Sequence, residues 1–476
     1  MQMIIGGQET GAAGGETFEV RNPATGEVID TVPAGTGEDV GAAVDAARVA
    51  SPAWARKTIR DRGTILFNAA AVVRDRHKEL ARLLTMEQGK PIREAVDEVR
   101  GFANILEFYA GISASQAGET IRLGPAGDCM VVREPLGVCG AIVPWNMPVL
   151  IMGWKTGPSL LAGNTLVLKP ASTTPLTSLR LAGILQESGL PPGVLNIVTG
   201  SGGVVGEALV RHPGIGKLSF TGDIITGERV RTLAAGHAKE LVLELGGSDP
   251  MIVMDDADIG RAVEGAVRGR FYNAGQTCTA VKRLYVHQKI ADAFTRSLKS
   301  RIENLAVGNG LGSKIDMGPL NSAAQRDRIA ELVEGVRYND EGIVVTGGCP
   351  LKGRAFEPGY FYRPTLVTGV APGSPLVTRE VFGPVLPVAV IQDLAEGIEL
   401  ANATRFGLGA SVWTKDLGTV KRVFGEVNAG IIWVNRHLTV PPEVPFGGVN
   451  ESGTGRENGQ HALESYSRTK TLFLGW

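Results

Sequence analysis

An α/β fold built on mostly parallel sheets is what this sequence predicts, and three observations carry the prediction. From Val138 onward, short apolar runs alternate with amphipathic stretches, the pattern of strands joined by covering helices. Glycine is abundant, 64 of 476 residues, beside a hydrophobic fraction of 43%, as tight turns around buried strands require. The length permits large cores and suggests about two to four domains.

The first third reads as helical. Residues 39–50 are alanine-rich with apolar spacing, and Pro52 marks their end. Residues 61–87 continue in the same style. Residues 97–109 place Val99, Phe102, Ile105, Leu106 and Tyr109 at helical spacing. Residues 119–140 change character: Ile121, Cys129, Met130, Val131 and Val132 flank Gly124-Pro125-Ala126-Gly127-Asp128, a hairpin-like turn. Strands then follow at 138–144, 165–168, 194–198, 217–220 and 240–245, with helices between them at 176–188, 204–212 and 226–235. A second series begins with a strand at 251–254 and a helix at 259–272, and the chain closes on a strand-like tail, 469–476. No internal repeat is visible.

Composition excludes several function classes. The net charge is −1, from 48 basic and 49 acidic residues, with no long run of one sign. That is no footprint for nucleic acid or for an anionic membrane surface. The four cysteines, Cys129, Cys139, Cys278 and Cys349, are widely spaced and form no CxxC pair or Cys/His cluster, so neither a metal site nor a disulfide framework is expected. A reducing, cytoplasmic compartment is the simplest expectation. Residues 1–8 lack the basic and apolar regions of a signal peptide. The most hydrophobic region is interrupted by Val143-Pro144-Trp145-Asn146-Met147-Pro148, so no membrane span is expected.

Two residues stand out chemically. Cys278 ends Phe271-Tyr272-Asn273-Ala274-Gly275-Gln276-Thr277-Cys278, where a glycine lets the backbone turn tightly before a thiol. Glu244 lies inside Leu241-Val242-Leu243-Glu244-Leu245, where burying an acid is costly without a purpose. Together they suggest a thiol nucleophile and a carboxylate base. Two glycine-rich turns, Gly200-Ser201-Gly202-Gly203-Val204-Val205-Gly206 and Phe220-Thr221-Gly222-Asp223-Ile224-Ile225-Thr226-Gly227, follow strands and open helices, where backbone N–H groups can meet a phosphate. Lys169 adds a cation at a strand end.

Taken in order, Pro144-Trp145-Asn146, Leu168-Lys169-Pro170-Ala171, Phe220-Thr221-Gly222, Leu243-Glu244-Leu245-Gly246-Gly247, Gly275-Gln276-Thr277-Cys278, Glu380-Val381-Phe382-Gly383-Pro384 and Pro445-Phe446-Gly447-Gly448 resemble the motifs of the NAD(P)-dependent aldehyde dehydrogenase superfamily. The likeness covers almost the whole chain, from Asn22-Pro23-Ala24-Thr25-Gly26-Glu27 to the C-terminal strand. It implies a Rossmann-like cofactor domain over 1–118 and 137–246, an α/β catalytic domain over 247–461, and a small β oligomerisation module over 119–136 and 462–476. It implies a homodimer or homotetramer, in which the last strand extends a neighbour's sheet.

The resemblance also assigns roles. Cys278 attacks the aldehyde carbon. The Asn146 side chain and the Cys278 backbone N–H hold the oxyanion, and Glu244 activates the water that releases the acid. NAD or NADP is held by Trp145, Lys169, Ser172, Gly202, Gly206, Phe220, Thr221, Gly222, Gly227, Leu245, Glu380 and Phe382. The substrate pocket is formed by Met147, Ile151, Trp154, Tyr272, Thr277, Thr279 and Phe446. Relatives that pass the acyl group to coenzyme A lack a base at the Glu244 position, so hydrolysis is the expected end.

Two departures bear on the cofactor. Asp223 stands where the family often has serine, close to the expected pyrophosphate. Ser172 stands where many strictly NAD-dependent members have glutamate, so NADP is expected to be accepted beside NAD. Trp154 stands where semialdehyde enzymes often carry arginine, which favours an uncharged aromatic or medium-chain aldehyde. A semialdehyde stays open if Lys282, Arg283 or the loop at Arg436-His437 supplies a cation. A non-catalytic family member and a cysteine hydrolase are the competing classes, the latter requiring a histidine base at Cys278.

Overall fold

The computed structural model describes residues 1–475; Trp476, the end of the expected tail, lies outside them. Eight strands form the first sheet, in the order Gly453–Thr454, Glu240–Glu244, Lys217–Thr221, Val138–Ile142, Thr165–Lys169, Leu195–Ile197, Met3–Ile5 and Gln8–Thr10. The five strands from Glu240–Glu244 to Leu195–Ile197 are mutually parallel, and antiparallel strands close both edges. Register pairs Ile142 with Lys169 and Thr221 with Glu244, so these residues share the carboxyl edge of the sheet. Strand order reverses at Val138–Ile142, which opens a crevice at that edge of the kind in which α/β proteins bind ligands.

The second sheet has seven strands: Ile343–Thr346, Thr365–Thr368, Val385–Ile391, Val281–His287, Asp249–Val253, Gly409–Trp413 and Ile431–Val434. All neighbours are parallel except the first pair. A third, antiparallel sheet orders Ser467–Leu474, Asp128–Pro135 and Glu119–Arg122, so the chain end lies beside the hairpin read from residues 119–140. The Gly453–Thr454 strand comes from the stretch expected in the catalytic domain but joins the first sheet. Its Gly453, at φ +145°, allows a close approach to the Leu243 carbonyl that any Cβ would block.

Three local expectations differ from the structure. The first helix, Gly37–Arg56, runs through Pro52 instead of ending there. The proline forfeits one backbone bond, but Trp54 beyond it is buried and its Nε1 donates to the Leu160 carbonyl at 3.2 Å, which anchors the last turn. The stretch expected as one helix over 61–87 is two, Ile59–Asp75 and His77–Gln88, broken where the His77 Nδ1–H donates to the Arg74 carbonyl at 2.6 Å. The helix expected from Val204 begins as a π turn, Gly202–Gly206, before the short helix Glu207–Arg211.

Candidate active site

A cavity of about 880 Å³ runs from the carboxyl edge of the first sheet to the cysteine loop of the second. Cys278, Glu244 and Asn146 all face it, together with Trp145, Lys169, Ser172, Gly202, Phe220, Thr221, Gly222, Leu245, Glu380 and Phe382.

The cysteine loop is unusual backbone. After the helix Ile259–Phe271, Asn273, Ala274 and Gly275 all have positive φ, 50°, 54° and 74°. A Cβ on Gly275 would collide with the Gly383 carbonyl. Such a turn persists only where its surroundings over-determine it. Here Asn273 N–H donates to Glu94 at 2.8 Å, Gln276 Nε2 to the Asn273 carbonyl at 2.9 Å, and Arg270 to the Val381 carbonyl at 3.0 Å. Lys282 Nζ donates to the Cys278 carbonyl at 2.7 Å. Cys278 keeps part of its surface open to the cavity. Burial pushes its thiol up to about 12, and the nearby Asp249, Glu380 and Glu244 charges act in the same direction against Lys282.

Glu244 ends its strand fully buried, and neither carboxylate oxygen has a hydrogen-bond partner among the described residues. Burial holds it well above the usual carboxylate range, Glu457 adds to the effect, and Lys155 and Arg456 oppose it. Asn146 Nδ2 donates to the Gln276 carbonyl at 3.0 Å, tying the Asn146 side chain to the cysteine loop.

On the opposite flank Lys169 is buried, its Nζ donates to the Pro170 carbonyl at 2.8 Å, and desolvation lowers it to about 8. Ser172 Oγ donates to the Gly200 carbonyl at 2.9 Å. Gly202 faces open space, a Cβ at Gly206 would stand in ordinary contact with the Lys169 stem, and Gly227 allows the helix Ile224–Ala234 to close on Leu245. Asp223, expected near a pyrophosphate, lines the cavity and caps that helix, accepting from Thr226 N at 2.9 Å and Thr226 Oγ1 at 2.6 Å. Glu380 accepts from Lys282 Nζ at 2.7 Å and Gly247 N–H at 3.2 Å. The Phe382 ring stands edge-on to Trp145, centroids 5.5 Å apart.

Among the residues expected at the substrate, Ile151, Trp154 and Phe446 line the cavity, and the Trp154 and Phe446 rings lie 4.9 Å apart. Met147, Tyr272, Thr277 and Thr279 do not line it. Met147 is buried with Sδ 3.2 Å from Lys90 Nζ. Tyr272 lines a separate charged crevice of about 310 Å³ with Glu94, Asp97 and Arg268. Thr277 is buried, and the Thr279 carbonyl accepts from His437 Nε2 at 2.7 Å.

Of the groups named as a possible cation for a semialdehyde, Lys282, Arg283 and His437 are engaged elsewhere, and Arg436 is exposed and does not line the cavity. Lys282 donates to Glu380 and to the carbonyls of Gly247 and Cys278, which uses all its protons. Arg283 is buried against the carbonyls of Ser248, Leu400 and Ala401. His437 is lowered to about 4 by burial, so it is neutral, and it bonds Thr279 and Ser411 rather than the Cys278 thiol.

Sequence reasoning passed over the buried charges behind the site. Lys155 pairs with Glu457 at 2.8 Å and donates to Ser219 at 2.6 Å. Lys90 pairs with Glu98, both fully buried. Lys155 carried a signal, being the one charge in the apolar helix Pro148–Ala162. The charges of the helix Ile92–Ile112 read as a solvated face. Among the described residues no group of three or more His, Cys, Asp or Glu side chains is placed to hold a metal ion, and no helix is long and apolar enough to cross a membrane.

The sequence profile of the aldehyde dehydrogenase family matches residues 10–472. Solved structures agree along the full length. An NADP-dependent enzyme of E. coli is 38% identical with a TM-score of 0.97, covering 100% of this chain and 98% of its own. A point mutant of the betaine aldehyde dehydrogenase of Staphylococcus aureus, in complex with NAD+, is 34% identical with a TM-score of 0.97, covering 100% and 97%. An NAD-dependent aldehyde dehydrogenase of Sinorhizobium meliloti is 36% identical with a TM-score of 0.96, covering 99% and 94%. With a thiol, an unpartnered carboxylate and an amide on one cavity, and the profile spanning nearly the whole chain, the protein belongs to the aldehyde dehydrogenase family.

Proposed function

We propose that this enzyme oxidises an uncharged aromatic or medium-chain aldehyde to its carboxylic acid with NAD+ or NADP+, through a covalent intermediate on Cys278. The observation that carries the reading is that Cys278, Asn146 and an unpartnered Glu244 carboxylate open on one cavity. The Cys278 thiol gives its proton to water in the cavity, the thiolate sulfur bonds the aldehyde carbon, and the C=O π pair moves to the carbonyl oxygen, which becomes an oxyanion. The free N–H of the Asn146 amide and the Cys278 backbone N–H hold that charge, donors of a kind worth about 2.7–4 kcal/mol each. Bound NAD(P)+ supplies the hydride acceptor that turns the thiohemiacetal into a thioester. Glu244 then takes a proton from water as its oxygen bonds the acyl carbon and the carbon–sulfur bond breaks. Burial suits Glu244 to this, since a raised carboxylate is a competent base near neutrality.

The cavity fits a dinucleotide. Gly202 faces open space, Lys169 and Ser172 flank it at the strand end, and Glu380 and Phe382 lie at the inner end. In this reading Lys169 and Ser172 meet the adenosine ribose and Glu380 the nicotinamide ribose, where Ser172 leaves room for a 2′-phosphate. Trp154, Ile151 and Phe446 offer apolar surface to the aldehyde, and with Lys282 and Arg283 engaged elsewhere, a substrate carboxylate gains no partner from either. A reducing, cytoplasmic compartment suits the four free cysteines. The strand Ser467–Leu474 and the strand Ile431–Val434 each lie at the edge of a sheet. A homodimer or homotetramer joined by these edges is the assembly we propose.

The test is a screen of aldehydes with both cofactors, run on the parent and on Cys278→Ala. The variant should lose oxidation of every aldehyde while binding cofactor as before. Near-normal turnover would remove the thiol from the mechanism.

A further inference from the structure

Behind the cavity wall lies a buried polar network that the steps above do not use. Lys90 and Glu98 form an ion pair with both side chains fully buried. Such a pair adds little net stability over well-packed apolar residues, because desolvation offsets the attraction. Its remaining hydrogen bonds are directional, and they hold Asn146 and the start of the helix that follows it. Lys90 Nζ donates to the Asn146 carbonyl at 2.8 Å. The second Glu98 oxygen accepts from the N–H groups of Val149 at 2.8 Å and Leu150 at 3.1 Å, free donors of the first turn of the helix that follows Asn146.

A second clamp reaches the same carbonyl from the cysteine loop. Asn273 Nδ2 donates to the Asn146 carbonyl at 2.9 Å and to the Gln276 carbonyl at 3.2 Å. The Asn146 peptide is thus gripped by donors from two elements while its side chain is tied to Gln276. Holding the carbonyl fixes the peptide plane, and with it the direction in which the Asn146 side chain leaves the backbone.

We propose that Lys90 and Glu98 are positioning residues for the oxyanion site, acting only through Asn146. The inference rests on Asn146 as an oxyanion donor. Displacement of a catalytic group by about 1 Å can cost about 100-fold in rate, so a clamp with no substrate contact can govern the chemical step.

A double-mutant cycle on the single-turnover rate of reduced-nicotinamide formation tests this. The charge-balanced variant Lys90→Met with Glu98→Gln is combined with Asn146→Ala. We expect Asn146→Ala alone to slow the step about 100- to 1,000-fold. The pair variant should slow it about tenfold in the parent and less than about twofold on Asn146→Ala, with the cofactor KM unchanged in both. Equal factors in the two backgrounds would overturn the proposal, since the pair would then act on the fold at large. A parent rate in Asn146→Ala would instead remove the donor role, a distinguishable failure. Should the pair variant fail to bind cofactor, Lys90→Arg keeps the ion pair and displaces its donor from the Asn146 carbonyl while leaving the cysteine loop's own bonds in place. It is predicted to lose its effect on Asn146→Ala, and an undiminished effect there would count equally against the clamp.

Discussion

Among the described residues neither Glu244 oxygen has a hydrogen-bond partner, and that isolation predicts how catalysis responds to pH. Because burial raises its pKa, the base form emerges only above the usual carboxylate range. When thioester hydrolysis limits turnover, kcat should therefore rise with pH through that raised value and then level. Glu244→Gln keeps the shape and removes the base: a stoichiometric burst of reduced nicotinamide should precede a much slower steady state, and the acid limb should vanish. Stopped-flow traces across pH decide this, and turnover at the parent rate would assign water activation to another group. Ser172 offers a second test. Ser172→Glu puts an anion beside a 2′-phosphate and offers an acceptor to free ribose hydroxyls. It should lower kcat/KM for NADP+ at least about tenfold relative to NAD+, or roughly 1.4 kcal/mol. An unchanged ratio would mean that Ser172 does not face the adenosine ribose. At this scale the sequence was informative where a residue broke its local rule. An acid in an apolar strand marks Glu244, and a glycine ahead of a thiol marks the turn before Cys278. Lys90, Glu98 and Glu457 broke no local rule, because a charged residue on a helix or loop is ordinarily solvated, and only the packing of distant segments buries them.

The alternating strands and helices from Val138 to Glu244 were readable because buried parallel strands are continuous apolar runs bounded by turns. The breaks that propensity misjudged, at Pro52 and Arg76, were decided by a buried tryptophan and a histidine–carbonyl contact, neither of which is encoded by local periodicity. The helix Ile224–Ala234 carries the element-scale prediction. Its Asp223 cap places an exposed negative charge at the cavity proposed to hold the cofactor. Serine caps a helix about as well as aspartate, so Asp223→Ser should leave thermal stability nearly unchanged. Two exposed like charges about 4–8 Å apart in water repel by roughly 0.5–1 kcal/mol, which removing the Asp223 charge would relieve. The Kd of either cofactor should therefore tighten about two- to fivefold, and looser binding in a fluorescence titration would show that the capping carboxylate lies away from the phosphates.

At the scale of the molecule, the hairpin and the C-terminal strand were visible as separate β segments, but their pairing across more than three hundred residues was not a property of either segment. It follows from Lys470 opposite Val132 and Phe473 opposite Cys129 in the antiparallel register. The resulting sheet leaves Leu472 and Phe473 more than half exposed, at 54% and 56%, on a strand with one unpaired edge. An exposed apolar edge of this length is a template for another chain. Replacing both residues with glutamate changes side chains that are exposed in the protomer, so its own stability should move by about 0.5 kcal/mol or less per site. Four like charges brought together at a two-fold contact oppose pairing. Light scattering should therefore find the mass of a single chain for Leu472→Glu with Phe473→Glu, where the proposed assembly gives the parent the mass of a dimer or tetramer. Cofactor affinity should be retained, because the cavity is lined by residues of the two large sheets and their connections. A variant that stays assembled would move the subunit contact away from this edge, and one that loses cofactor binding along with assembly would show that the module supports the cavity as well as joining the chains.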